Sequence, residues 1–251
     1  MSRRAISAAL AATFALSGCG ALHRGPDTGP PLVVVLFDVS GSTANPAVRA
    51  RYLDAFERVV DHVAATHGTV VGDVIDDDPL AHSTFPIDAT FEACDALTDN
   101  KLVCDTAATR TREDVVTSAR AILARMPTAP GTDIQDGLLL AQRVFDSYPE
   151  AGARSLVLLS DMVERSPRLN VARPGFDEGA IGPTLDALVD DGAIPDLPGV
   201  ATYVVGAGAL ADAAMPAERF LTIQHFWQAY LSRAGADLST ARYGAALVRF
   251  P

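Results

Sequence analysis

The chain has 251 residues, of which 49% are hydrophobic and 20% are charged. This length and composition suit one globular domain with a sizeable core. The formal net charge is −11, and no basic run follows the first few residues. We therefore exclude nucleic acid as a partner, because binding phosphates requires clustered lysine and arginine.

The first residues have the features of an export signal. Arg3 and Arg4 supply positive charge, and the apolar run "AISAALAATFAL" that follows is too short to span a bilayer. The run ends in "LSGC", Leu16 to Cys19, which resembles the lipobox of bacterial lipoproteins, where the cysteine is lipidated. We predict a signal peptide over 1–18, a lipid anchor on Cys19, and a location in the cell envelope outside the cytoplasm. A secretory signal with an incidental cysteine is the alternative.

Residues 19–31 are rich in glycine and proline and lack an apolar period. This composition predicts an extended, unpacked tether. A tether of about 12 residues reaches at most roughly 40 Å. The domain would then sit close to the membrane without being embedded in it.

The cysteine count is three, an awkward number for an exported protein. With Cys19 assigned to the lipid, Cys94 and Cys104 remain, on either side of the polar stretch "DALTDNKLV". An exported chain meets an oxidising compartment, so we predict a disulfide between them. Closing this loop would contribute about 2–3 kcal/mol in the chain-entropy model. A metal pair is the alternative, but no histidine lies nearby at ligand spacing.

Short apolar runs alternate with helical patterns beyond the tether. "LVVVLF" (32–37) is typical of a central parallel strand. A helix is predicted from Pro46, with Gly68 as its C-terminal stop. The run "TVVGDVI" is a second strand, and "HSTFPIDATF" a third, near an edge of the sheet because it contains Pro86.

The second half continues the alternation. We predict a helix in "TREDVVTSARAILARM", capped within 111–114, a helix in "DIQDGLLLAQRVFDSY", and an apolar strand, "SLVLLS" (155–160). A loop-rich stretch follows, with a short helix in "PTLDALVDD", then a strand in "ATYVVGAG", a helix in "PAERFLTIQHFWQAYLSRAGA" and an edge strand in "YGAALVRF". This order predicts an α/β fold: a doubly wound, mostly parallel sheet flanked by helices, with one antiparallel edge strand.

Polar residues follow the two most apolar strands. Ligands of doubly wound sheets bind beyond the carboxyl ends of the strands. Asp38 ends the first run, with Ser40 and Ser42 just beyond, and Asp161 follows "SLVLLS". Thr132 stands at the start of an intervening helix. If the two strands are neighbours, these five side chains meet at one rim, where three hydroxyls and two carboxylates suit Mg²⁺, Mn²⁺ or Ca²⁺ rather than zinc.

This set resembles the metal-ion-dependent adhesion site of von Willebrand factor type A domains. That motif is D-x-S-x-S after the first strand, a threonine in a later loop and an aspartate after the fourth strand. Here "DVSGS", "GT" and "LLSD" supply them in the same order, within a domain spanning 32–251. The resemblance implies that Ser40 and Ser42 bind the ion directly, that Thr132 does so directly or through water, and that the aspartates act largely through water.

The resemblance also implies a function. In this family the ion keeps one open position, which a Glu or Asp of a protein partner fills, so the expected activity is binding and not catalysis. Two features depart from the family pattern. Met162 and Val163 follow Asp161, where many relatives have a glycine, and the stretch 73–101 is more elaborate than in a minimal domain.

Other interpretations stay open at this stage. Each site residue could be a helix cap or a turn residue, which would leave a metal-independent accessory of the envelope. A serine hydrolase using Ser40 is a further alternative, but G-x-S-x-G is absent, and none of the candidate histidines (His62, His67 and His225) follows a late strand.

Two more patterns resemble binding motifs. Gly206, Gly208 and Ala211 resemble a dinucleotide fingerprint, but they follow a late strand, so we favour a turn. The acidic run "DVIDDDP" lacks the spacing of a dedicated calcium loop, and a solvated turn is favoured.

Overall fold

The structure, a computed structural model, describes residues 29–95, 97–127, 131–208 and 215–250. The predicted signal peptide, Cys19 and the first part of the predicted tether lie outside these residues. Within the described ranges, none of the helices has both the length and the apolar character that crossing a bilayer requires.

Within the described residues, six strands form one sheet. They are β1 (Leu32–Asp38), β2 (Thr69–Ile75), β3 (Ile87–Thr90), β4 (Arg154–Leu159), β5 (Ala201–Val205) and β6 (Tyr243–Gly244). Their order is β3-β2-β1-β4-β5-β6. All neighbours run parallel except β3, which is antiparallel to β2. The predicted doubly wound sheet with one antiparallel edge strand is confirmed, and β1 and β4 lie at its centre.

Helices cover both faces of the sheet. They are α1 (Pro46–Ala65), α2 (Pro79–His82), α3 (Lys101–Leu123), α4 (Ile134–Ser147), α5 (Glu178–Asp190) and α6 (Ala217–Arg233). Alternate residues of β1 point to opposite faces. One set packs in a core with α1 and α3, and the other in a core with α4, α5 and α6. Burial on both faces explains why β1 is apolar along its whole length.

Three of the predicted helices bury apolar residues that recur every three or four positions in the sequence. In α1 this face is buried throughout, at Val48, Tyr52, Phe56, Val59 and Val63. The face of α4 is likewise buried, at Ile134, Leu138, Ala141 and Phe145. In α6, Ile223, Trp227 and Tyr230 are buried, and Phe220 is partly buried.

Two helices begin earlier than predicted. Helix α3 starts at Lys101, where the Asn100 side chain caps it by accepting a hydrogen bond from Leu102 N at 3.0 Å. The ten residues 101–110 bury no side chain, so they carry no apolar period that the sequence could reveal. Helix α5 starts at Glu178 instead of Pro183, which lies inside it.

The disulfide between Cys94 and Cys104 is present. Because α3 begins at Lys101, Cys104 lies in the first turns of that helix, and the polar loop between the cysteines is shorter than expected. The bond therefore ties the exposed start of α3 to the segment that leaves β3.

Three boundaries also differ from prediction. Helix α1 ends at Ala65, and the left-handed residue that follows its end is His67, at φ 54°, instead of the predicted Gly68. Strand β6 is limited to two residues. Residues 29–31 of the predicted tether pack on the domain, because Pro30 O accepts a hydrogen bond from Gly152 N at 3.1 Å and Pro31 O accepts one from Thr69 N at 2.8 Å.

Candidate metal centre

The adjacency of β1 and β4 brings the first two predicted segments together. Their parallel register pairs Phe37 with Leu159, so Asp38 and Ser160 stand side by side at the end of the two strands. The Ser160 hydroxyl donates a hydrogen bond to Asp38 Oδ2 at 2.7 Å. Asp161 follows at once, at the same rim as the "DVSGS" loop.

The "DVSGS" loop folds around its own aspartate. Ser40 N donates to Asp38 Oδ1 at 2.9 Å, and the Thr43 hydroxyl donates to Asp38 O at 2.7 Å. The hydroxyl oxygens of Ser40 and Ser42 are 3.1 Å apart. Adjacent ligands of an octahedral Mg²⁺ ion with bonds of 2.0–2.1 Å would be about 2.8–3.0 Å apart. The two serine hydroxyls form a hydrogen bond and lie close to the spacing of neighbouring magnesium ligands.

The two predicted aspartates form a buried, electrostatically unfavourable pair. Burial, and then the charge of Asp161, raise the pKa of Asp38 to about 7. Burial also raises the pKa of Asp161, although hydrogen bonds from Ser42 and from Val163 N and the charge of Arg165 oppose that rise. Within the described residues, neither carboxylate forms an ion pair with a lysine or arginine. A bound cation or a proton would relieve this repulsion.

Thr132 lies in the loop that precedes α4 and is buried. It forms an antiparallel bridge with Arg165: Thr132 N donates to Arg165 O at 3.2 Å, and Arg165 N donates to Thr132 O at 3.1 Å. Gly131 lines a small cavity together with Ser40. The loop carrying Thr132 therefore lies against both other segments, through Arg165 on one side and Gly131 on the other.

The helix-cap alternatives for these residues are wrong. Asn45 caps α1 by accepting a hydrogen bond from Ala47 N at 2.8 Å, so neither Asp38 nor Ser42 has that role. Asp133 caps α4, so Thr132 does not. Asp161 does have a turn role, because its Oδ1 accepts the hydrogen bond from Val163 N at 2.9 Å.

Sequence reasoning missed two polar residues beside the site. Ser160 fixes one oxygen of Asp38, and the strand register could have revealed it, since it occupies the matching position at the end of β4. Glu164 is fully buried, and its Oε2 accepts a hydrogen bond from Ile134 N at 2.6 Å. No local pattern marks Glu164, because its partner lies 30 residues earlier in the chain.

The glycines of "VVGAG" have a structural explanation. Gly206 has φ 114°, and a Cβ atom there would overlap the Tyr52 hydroxyl and approach the Ser160 carbonyl. Gly208 has φ 72° and would crowd Phe220. Ala211 lies outside the described residues. These contacts support the turn interpretation over the dinucleotide one.

The acidic run after β2 also behaves as a turn. Asp76, Asp77 and His82 place ligand atoms within 4.8 Å of one another. However, Asp76 pairs with His82 at 2.9 Å, and Asp78 caps α2 by accepting a hydrogen bond from Ala81 N at 3.1 Å. The group is largely exposed, as a solvated turn should be.

A cavity of about 740 Å³ opens from the candidate centre. Ser42 and Asp161 line one end, and α6 and the loop before α5 form its walls. Its apolar wall includes Val163, Phe176, Met215, Phe220 and Ile223, and charged side chains, among them Arg165 and Glu218, stand beside them. The volume falls in the range of ordinary ligand pockets, about 300–1,000 Å³.

No protein-family profile and no curated protein matches the chain. Among solved structures, proximal thread matrix protein 1 from the mussel byssus is similar at 15% identity and a TM-score of 0.37, covering 72% of this chain and 38% of that one. The pilus adhesin SpaC from Lactobacillus rhamnosus GG, in its open conformation, is similar at 14% identity and a TM-score of 0.43, covering 81% and 27%. Similarities this low carry no information about function.

Proposed function

We propose that the domain binds one divalent cation through Asp38, Ser40, Ser42, Thr132 and Asp161, and that the ion holds a carboxylate of a protein partner. The supporting observation is the buried Asp38–Asp161 pair, which forms no ion pair with the lysines and arginines that the structure describes and adjoins two hydroxyls 3.1 Å apart. The activity is recognition, without chemical turnover.

Magnesium is the first ion to test, because its six octahedral positions match five protein oxygens and one open position. The 3.1 Å spacing of the serine hydroxyls also suits equatorial ligands of a seven-coordinate Ca²⁺ ion, which would be about 2.7–3.1 Å apart. Mn²⁺ accepts the same kind of oxygen ligands. Three of the five ligands are neutral hydroxyls, so the two carboxylates leave little surplus negative charge, and the ion can attract a further carboxylate.

The partner would present an aspartate or glutamate, as the resemblance to von Willebrand factor type A domains implies. Its neighbouring residues would enter the cavity that starts at Ser42 and Asp161. Because that cavity has an apolar wall at Phe220 and Ile223, an apolar side chain beside the acidic one suits it.

We further propose that the domain is displayed in the cell envelope from a lipid on Cys19. This part depends on the "LSGC" sequence alone. A Cys19→Ser protein should leave the membrane fraction when cells are fractionated, while the wild type stays in it. A Cys19→Ser protein that remained with the membrane would contradict the anchor.

Thermal melts and calorimetry with Mg²⁺, Mn²⁺ and Ca²⁺ test the metal proposal. The wild type should bind Mg²⁺ and melt at a higher temperature with it, and Asp38→Ala should show neither effect. No response to millimolar levels of any of the three ions would instead support the metal-independent accessory. Hydrolase activity that disappears in Ser40→Ala would support the enzyme alternative.

A further inference from the structure

Glu164 links the loop after β4 to the first turn of α4. Its Oε2 accepts a hydrogen bond from Ile134 N at 2.6 Å. Ile134 is the first residue of α4, and its amide has no partner inside the helix. The positive end of the helix dipole also attracts a carboxylate there.

The helix does not need Glu164 as its cap. Asp133 already caps α4, since its side chain accepts a hydrogen bond from Asp136 N at 2.9 Å. Glu164 comes from a different segment, three residues after Asp161. Its hydrogen bond with Ile134 N therefore joins two segments that each carry a proposed ligand.

A second contact reinforces the same link. The Thr132–Arg165 bridge pairs the residue after Glu164 with the proposed ligand Thr132. The backbone around Thr132 is thus held on one side by Arg165 and on the other by Glu164 through Ile134. Movement of the α4 start would carry Thr132 away from Asp161.

Burying the Glu164 carboxyl group costs free energy of folding. Burial and then Asp133 raise its pKa well above the usual range. Among the described residues, its Oε1 and both polar side-chain atoms of Gln135 are buried without a hydrogen-bond partner. Unpaired buried polar groups cost free energy, so the single hydrogen bond to Ile134 N is offset by the unpaired atoms beside it, and stability alone does not account for a glutamate at this position.

We propose that Glu164 is a positioning residue of the metal centre, holding the start of α4 so that Thr132 stays within reach of the ion. This inference rests on the proposed metal-binding function. Without the link, Ser40, Ser42 and Asp161 keep their places and Thr132 drifts from the ion.

Calorimetric Mg²⁺ titrations of Glu164→Ala, Thr132→Ala and the double variant test the proposal. Loss of a residue that orients a metal ligand weakens metal binding about 10–100-fold, and we expect an effect of this size for Glu164→Ala. If Glu164 acts through Thr132, the double variant should bind Mg²⁺ no more weakly than Thr132→Ala. Melting in EDTA reports the stability of each metal-free protein.

Conservative and control variants separate positioning from general damage. Glu164→Gln keeps an oxygen that can accept from Ile134 N, so its Mg²⁺ affinity should stay within about threefold of the wild type. Arg168→Ala removes the 3.0 Å ion pair with Asp136, which is another link between this loop and α4. Because Glu164 and Thr132 remain in place, Arg168→Ala should bind Mg²⁺ normally.

The outcomes are distinguishable. A wild type that binds no divalent cation refutes the proposed function itself. If the wild type and Glu164→Ala bind Mg²⁺ equally well, only the positioning role is overturned. The same holds if the losses of Mg²⁺ affinity in Glu164→Ala and Thr132→Ala multiply in the double variant. If Glu164→Ala does not fold, Glu164→Met replaces it, because methionine fills the space without accepting a hydrogen bond from Ile134 N. The expected loss of Mg²⁺ affinity is the same for Glu164→Met.

Discussion

Two acidic groups stand at the same edge of the sheet, and their environments differ sharply. The first is the Asp38–Asp161 pair beyond β1 and β4. The second is the group of Asp76, Asp77 and His82 beyond β2. Since Asp38 pairs with Ile75 in the strand register, the two groups start at the same level of neighbouring strands, and both are rich in carboxylates.

Their electrostatics separate them. Asp38 is buried with a like charge nearby, and its pKa is raised to about 7. Asp76 accepts a hydrogen bond from Asp78 N at 3.0 Å and pairs with His82, whose side chain is 57% exposed. The first group keeps a repulsion that a cation or a proton would relieve, whereas the second is balanced by its own amides, by His82 and by its exposure. Burial of two acids without an ion pair among the described residues therefore marks the candidate centre better than the number of acids does.

Matched substitutions in the two groups give the largest expected contrast. At a Mg²⁺ concentration of 100 times Kd, binding stabilises the wild type by about 2.7 kcal/mol, which raises Tm by about 5–10 °C for a domain of this size. Asp161→Asn should remove most of this rise in thermal melts, and Asp77→Asn should leave it within about 1 °C. A rise lost in Asp77→Asn and kept in Asp161→Asn would move the ion to the end of β2.

The sequence was sufficient for the centre of the fold. The apolar runs of β1 and β4 predict neighbouring buried strands, and the residues directly after them are fixed by chain continuity. For that reason Asp38, Ser40, Ser42 and Asp161 could be placed at one rim without a structure. Thr132 was placed by its position before a strongly amphipathic helix, and the structure brings its loop to the same rim.

Other features depend on contacts that no local pattern encodes. Glu164 lies in an irregular loop, and its role becomes visible only when Ile134 is beside it. The first ten residues of α3 have no buried face, so helical periodicity begins about ten residues after the helix does. The contrast between Asp38 and Asp76 is likewise a difference in burial, which depends on the tertiary fold.

The pH dependence of Mg²⁺ binding is the next largest effect. A proton on Asp38 competes with the ion, because a metal centre of this kind requires the ionised carboxylate. With a pKa of about 7 for Asp38, the apparent Mg²⁺ affinity should be about 30-fold weaker at pH 5.5 than at pH 8. Calorimetry at a series of pH values measures this. An affinity that does not change over that range would show that Asp38 is ionised throughout.

The metal-free protein should show a related effect on stability. Asp38 has a pKa of 3.8 in the unfolded chain and about 7 in the folded one, so the folded state binds more protons between these values. The contribution of Asp38 to the free energy of unfolding therefore falls by about 2 kcal/mol as pH rises from 5 to 7, and it is constant above pH 8. In urea unfolding with EDTA, the free energy of unfolding should fall less between pH 5 and 7 for Asp38→Asn than for the wild type. An equal fall in the wild type and Asp38→Asn would show that other buried acids cause the effect.

The smallest expected effect belongs to the second acidic group. The hydrogen bond and the charge of Asp76 raise the pKa of His82. The stabilisation from this pair is therefore full below the unfolded histidine pKa and is lost as pH rises through the folded one. Because His82 is exposed, solvent screens the interaction, and His82→Asn should shift Tm by less than about 1 °C at pH 6 and leave the Mg²⁺ affinity unchanged. A shift of several degrees, or a weaker Mg²⁺ affinity, would mean that the group beyond β2 is coupled to the centre beyond β1, and the contrast between them would no longer hold.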